Sequence, residues 1–180
     1  MIKGCLTSSI QTASPNKNSR PIPDDIRLII VHGISLPPDQ FGDHWIDDFF
    51  LNKLDPNQHP YFQEIHHIEV SSHLLIRRDG SITQYVPFHE RAWHAGTSSF
   101  EGKENCNDFS IGIELEGADH IPYTHEQYQA LSDCCNTLIK HYPELTAARI
   151  VGHCDVSPGR KTDPGDSFDW GKFRDLLSSI

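Results

Sequence analysis

Fourteen residues near the carboxyl end, GHCDVSPGRKTDPG at 152–165, contain His153, Cys154, Asp155, Lys161 and Asp163. The glycines and prolines among them forbid a helix, so the segment reads as a loop. Imidazole, thiolate and carboxylate are the groups that bind zinc, and a lysine adds a fixed positive charge. A matching histidine stands far upstream: His32 ends the run DIRLIIVH as His153 ends ARIVGH, and a glycine adjoins each. Strand ends are where open sheets present their sites. Two such histidines make half of a metal centre, because a catalytic zinc takes three protein ligands and a water. Asp163, Asp155 and Cys154 are all candidates for the third place. Asp163 would otherwise only open the Asp-Pro-Gly turn, and the histidines would otherwise be buried hydrogen-bonded groups.

Most other histidines invite no such reading. Of the twelve in the chain, His44, His59, His66, His67, His120, His125 and His141 stand in polar or helix-surface contexts, as solvated or capping residues.

The elements that must position these groups follow from the pattern of apolar residues. The β-branched run 25–32 suits a strand buried on both faces. Residues 43–51 space Trp45, Ile46, Phe49 and Phe50 as a short amphipathic helix, which DPNQHPYF then breaks. Residues 70–88 form a hairpin around Asp79-Gly80, a dipeptide that tolerates positive φ. In the strand 108–117, Ile111, Ile113 and Leu115 share one face, while Gly112, Glu114 and Glu116 share the other. Helix 124–142 opens on a capping box of Thr124 and Gln127 and carries the stripe Tyr128, Leu131, Cys135, Leu138 and Tyr142. A short strand over 148–153 and a helix over 168–180 complete the chain. Residues 1–24 read as an extended N-terminal arm and 25–180 as one domain. The fold class is α/β (α+β), a central mixed β-sheet flanked by helices.

Composition bounds the partners. The chain has 180 residues, 37% of them hydrophobic, and a formal net charge of -10. That charge opposes nucleic acid and anionic lipid. The five cysteines are odd in number and show no CxxC spacing, as reduced thiols do. The first twenty residues lack the apolar stretch of about 7–15 residues that a secretory signal needs, and nothing later is long enough to span a bilayer. A cytoplasmic protein with no membrane, nucleic-acid or obligate protein partner is expected.

Seven stretches, IVHGISLPP, WIDDFF, DPNQHPYF, LLIRRDGSITQYVPF, RAWHAG, CNDFSIGIELEG and GHCDVSPGRKTDPG, occur in one order. Through them the chain resembles the zinc-dependent N-acetylmuramoyl-L-alanine amidases of the phage lysozyme-amidase and peptidoglycan-recognition superfamily, and within these the cytoplasmic type. The resemblance runs from about residue 25 to 173. It implies that His32, His153 and Asp163 hold one Zn²⁺, that Glu114 is the general base and that Lys161 stabilises the oxyanion. It implies a muropeptide substrate, cut between the lactyl group of 1,6-anhydro-N-acetylmuramic acid and L-alanine during cell-wall recycling. Trp93, His94, Tyr61 and Arg77 match pocket residues of the family; an aromatic suits a sugar face and a cation a peptide carboxylate. Two positions depart from close relatives: Gly33 stands where they carry Asn, and Asn105 where they carry Arg. Both bear on the grip on the substrate and leave the metal set alone.

Overall fold

The structure, a computed structural model, describes residues 1–178. The central sheet has six strands in the order β1-β5-β4-β9-β3-β10. These are β1 (Ile10–Gln11), β3 (Leu28–Ile34), β4 (Leu74–Ile76), β5 (Ile82–Gln84), β9 (Ser110–Glu116) and β10 (Ile150–Gly152). Strands β4, β9, β3 and β10 run parallel to one another, β5 is antiparallel to β4, and β1 is parallel to β5. The mixed sheet is the expected one.

Alternation along the central strands divides the core. Ile29 and Val31 of β3, with Ile111, Ile113 and Leu115 of β9, face helices α3 (His125–His141) and α5 (Trp170–Ser178). Each such side chain is buried, and a fully buried Ile or Leu contributes roughly 1.5–3 kcal/mol. On the opposite face Leu28 and Ile30 pack on Ala95, Cys106, Phe109 and Val156. Leu75 there meets Phe50 and Phe62 of α1 (Trp45–Phe50) and α2 (Pro60–Ile65). The capping box of α3 forms: Thr124 Oγ1 accepts from Gln127 N–H at 3.1 Å while Gln127 Oε1 accepts from Thr124 N–H at 3.1 Å. Among the described residues no helix is long and apolar enough to cross a membrane.

Three features differ from the sequence expectations. Residues 152–165 were expected to hold no helix, yet α4 (His153–Val156) makes one turn. Its four residues precede the Pro and Gly that rule out a longer helix, and the Asp155 carboxylate accepts from Gly152 N–H at 2.7 Å, closing the turn. Helix α2 follows the break at Asp55-Pro56, because Pro60 suits a first helical position and His59 Nδ1 accepts from Tyr61 N–H. The N-terminal residues are extended and also paired: β1 adds an edge to the sheet, and β2 (Lys17–Ser19) lies antiparallel to β6 (Glu90–Ala92). Arg20, 4% exposed, donates to the carbonyls of Phe88, Asn107, Asp108 and Ser110. The small hairpin of β7 (Ser99–Phe100) and β8 (Lys103–Glu104) then leads into a 3₁₀ turn at Cys106–Asp108. Positions 179–180 of the expected C-terminal helix lie outside the described residues.

Candidate active site

Three adjacent parallel strands bring the site together. His32 of β3 stands in register with Glu114 of β9, and in-register residues of parallel neighbours project to the same face. Gly152 of β10 pairs with Val31, and the chain turns into α4 directly after it, so His153 arrives beside His32. Asp163 is returned to the same point by its loop. Cys154 N–H donates to the Asp163 carbonyl at 3.1 Å, and the buried hydroxyl of Tyr123 donates to the Pro164 carbonyl at 2.9 Å.

His32 Nδ1, His153 Nδ1 and Asp163 Oδ2 form a tight triangle with sides of 3.0, 3.0 and 3.2 Å. These three residues could hold a metal ion. Asp155 and Cys154 take other places: Asp155 caps α4, and Cys154 lies outside the triangle. Both imidazoles are buried, and each has its second nitrogen engaged. His153 Nε2 donates to the Ala95 carbonyl at 3.1 Å, and His32 Nε2 lies 2.9 Å from His94 Nδ1. A carbonyl can only accept, so His153 Nε2 carries its proton toward Ala95 and Nδ1 is the nitrogen that faces Asp163. Two ring nitrogens and a carboxylate oxygen this close together suit a shared cation. The bond lengths and angles of tetrahedral zinc place ligand atoms roughly 3.3 Å apart, close to the sides of the triangle.

The electrostatics of the group suit the same use. Burial pulls His32 down to about 4, against the opposing effect of its hydrogen bond to the Asp163 carboxylate, so the ring is neutral and free to ligate at pH 7. Burial alone would raise the Asp163 carboxyl; its hydrogen bonds with His153 and His32 outweigh that and hold it far below the usual range. Glu114 behaves oppositely. Burial first, then the Asp163 charge, push its carboxyl well above the usual range, and Lys161 only partly opposes them. No hydrogen bond ties the Glu114 side chain to another described residue.

These groups open into a cleft of about 340 Å³, with Glu114 and Lys161 on its lining. Tyr61, Trp93 and His94 line it as well, beside an apolar wall that includes Leu36, Phe49 and Ile65. Arg77 is not among them. Its guanidinium donates to Asp47 at 2.7 Å and Glu116 at 3.0 Å and to the Asp43 carbonyl at 2.8 Å, a set that fixes α1 to the sheet. Gly33 borders the cleft next to His32, and Asn105 lies in a separate groove with Arg91 and Arg160. The sequence reading passed over His73, Asn107 and Ser110, which pack behind the site. His73 Nδ1 accepts from Gly112 N–H at 3.0 Å, and Asn107 Oδ1 accepts from His94 and Ala95 N–H. Their only local mark is a polar side chain beside an apolar run.

Known proteins share this arrangement of chain. The 1,6-anhydro-N-acetylmuramyl-L-alanine amidase AmpD of Haemophilus influenzae is 56% identical over 178 residues, 99% of this chain and 95% of that protein. The crystal structure of a Se-Met AmpD derivative superposes with a TM-score of 0.96 at 54% identity, covering 99% of both chains. The N-acetylmuramyl-L-alanine amidase AmiD from E. coli, solved with the substrate anhydro-N-acetylmuramic acid-L-Ala-D-gamma-Glu-L-Lys, gives a TM-score of 0.62 at 28% identity, over 88% of this chain and 60% of that one. The family model described as N-acetylmuramoyl-L-alanine amidase matches residues 22–166, a span that includes His32, Glu114, His153, Lys161 and Asp163, and the chain belongs to that family.

Proposed function

We propose that this chain hydrolyses the amide between the lactyl group of 1,6-anhydro-N-acetylmuramic acid and L-alanine in muropeptides, as a zinc enzyme of peptidoglycan recycling. The observation that carries the reading is the convergence of His32 Nδ1, His153 Nδ1 and Asp163 Oδ2 on one point, with the Glu114 carboxyl in register beside His32. The AmpD relatives supply the bond and the anhydro sugar by analogy. A cytoplasmic location is part of the proposal and is supported by five free cysteines, three of them buried.

His32, His153 and Asp163 would hold one Zn²⁺. Zinc at such a site lowers the pKa of water to about 7 and polarises a carbonyl. The remaining steps belong to side chains of the cleft. Glu114 accepts a proton from the attacking water at a carboxylate oxygen and returns it to the departing L-alanine nitrogen. Its raised affinity for protons suits that exchange near neutral pH. Lys161, exposed at the cleft, adds positive charge where the carbonyl oxygen becomes an oxyanion, a class of contribution worth roughly 10²–10³ in rate. Tyr61, Trp93 and His94 present ring surface to the sugar and the first peptide residues. Arg77, held by Asp47 and Glu116, is left out of the binding set.

The test is incubation of the purified protein with anhydromuramyl tripeptide, with mass spectrometry for free tripeptide and elemental analysis for bound metal. Release of tripeptide, with about one zinc per chain that is lost in Asp163→Ala, is expected. Intact substrate in the presence of bound zinc would overturn the hydrolase reading and leave a binding protein.

A further inference from the structure

One short segment grips both imidazoles of the proposed metal site from behind. The ring of His94 meets His32, Nδ1 to Nε2 at 2.9 Å, and the carbonyl of the next residue, Ala95, accepts from His153 Nε2 at 3.1 Å. Consecutive residues therefore set which nitrogen of each histidine turns toward Asp163. Such outer contacts fix ring orientation and tautomer and raise the basicity of the ligand. Room for His94 comes from Gly112 in the middle of β9, where a Cβ would stand 2.4 Å from the His94 ring.

What holds the segment is Asn107, 7% exposed, in the 3₁₀ turn before β9. Its Oδ1 accepts two backbone donors at once, His94 N–H at 3.2 Å and Ala95 N–H at 2.8 Å. The turn itself is anchored from the N-terminal arm, because Arg20 donates to the carbonyls of Asn107 and Ser110. Both acceptor directions of the amide oxygen are used, and a buried N–H left without a partner is costly. Loss of that oxygen strands two donors and frees both supports together.

We infer that Asn107 is a positioning residue for the metal pair: its amide oxygen fixes the His94–Ala95 backbone and thereby the orientation of His32 and His153 together. The inference rests on the reading of His32, His153 and Asp163 as the metal site. It separates Asn107 from the cleft residues, since Asn107 does not line the cleft and acts through the His94–Ala95 backbone.

The experiment measures Zn²⁺ affinity of the metal-free protein by competition with a chromophoric chelator, for wild type, Asn107→Leu, Asn107→Asp and Asp163→Ala. Asn107→Leu keeps the shape and removes the acceptor, and should bind zinc about 10–100-fold more weakly. Asn107→Asp keeps an oxygen in place and should restore affinity toward wild type. Imidazole ¹⁵N spectra give a second readout: the Nε2-protonated form of His153 should dominate in wild type and give way to a mixture of tautomers in Asn107→Leu. Wild-type affinity in Asn107→Leu, with Asp163→Ala weakened, would overturn the inference and leave the metal site standing. Equal weakening in the Leu and Asp variants would also overturn it, because the acceptor would then not be what matters. Unchanged affinity in Asp163→Ala would instead remove the metal reading itself. Should Asn107→Leu fail to fold, Asn107→Ala removes the oxygen without the apolar branch and is judged by the same outcomes.

Discussion

Glu114 and Glu116 stand two residues apart on β9 and project to the same face of the sheet, yet their surroundings are opposite. Glu116, 2% exposed, is saturated: its carboxylate accepts from Arg77 at 3.0 Å, from Gly42 N–H at 2.8 Å and from Arg78 N–H at 3.2 Å. Glu114 has no hydrogen-bonded partner among the described residues and sits against the Asp163 charge, which with burial drives its carboxyl upward. One strand thus places a carboxylate that holds the fold beside one that the fold tolerates. A buried acid without donors costs stability, and such a cost is commonly found at sites that carry chemistry. The difference lies wholly in which donors reach each oxygen, because residue type, strand and direction are shared.

Exchanging the acid at each position tests that contrast most strongly. Glu114→Gln should lower kcat by about 10²–10⁴-fold with zinc content unchanged, measured on anhydromuramyl tripeptide. Wild-type turnover would erase the distinction. Glu116→Ala should cost about 3 kcal/mol in denaturant unfolding, since it strands the Arg77 guanidinium and two backbone donors, while bound zinc stays at wild-type level. A smaller effect is expected in the pH dependence of metal-free stability. A carboxyl whose folded pKa is raised takes up a proton on folding, so its contribution weakens as pH climbs above the ordinary glutamate value of 4.5 and levels off above the folded pKa. Wild type should therefore lose Tm relative to Glu114→Gln as pH rises above 4.5, and parallel curves would show that Glu114 ionises freely. Smallest of all is Thr124→Ala. Gln127 of the same capping box donates to the Glu116 carbonyl at 2.9 Å, so this variant loosens the strand end from behind. It should cost about 1 kcal/mol, a Tm shift of roughly 2–4 °C, with catalysis unaltered.

How far the chain alone foretells the structure depends on whether the cause is local. The strands that carry His32 and deliver His153, the alternation that turns Glu114 away from Ile113, and the Thr124–Gln127 cap all come from neighbours within a few positions and were legible, although the strand expected to end at His32 runs on to Ile34. The third member of the triangle was open between Asp163, Asp155 and Cys154. Choosing among them needs the hydrogen bond from Gly152 N–H to Asp155, which spacing cannot reveal. Arg77 shows the same limit. In sequence it is a cation on a hairpin, and only the packing of α1 against β9 supplies Asp47 and Glu116 to bind it. The support behind the site was illegible for a further reason: Arg20, Asn107 and His94 meet across separations of up to ninety residues, as with Arg20 and the Ser110 carbonyl. No local periodicity records such pairings.

The ends of the six-stranded sheet carry one more consequence. Its two outermost strands are also very short, two residues in β1 and three in β10. A foreign chain approaching either margin finds only a few open amide and carbonyl groups to zip onto, too few to template growth. Long parallel strands remain in the middle, sealed on both sides by their own neighbours, where no visiting segment can add to them.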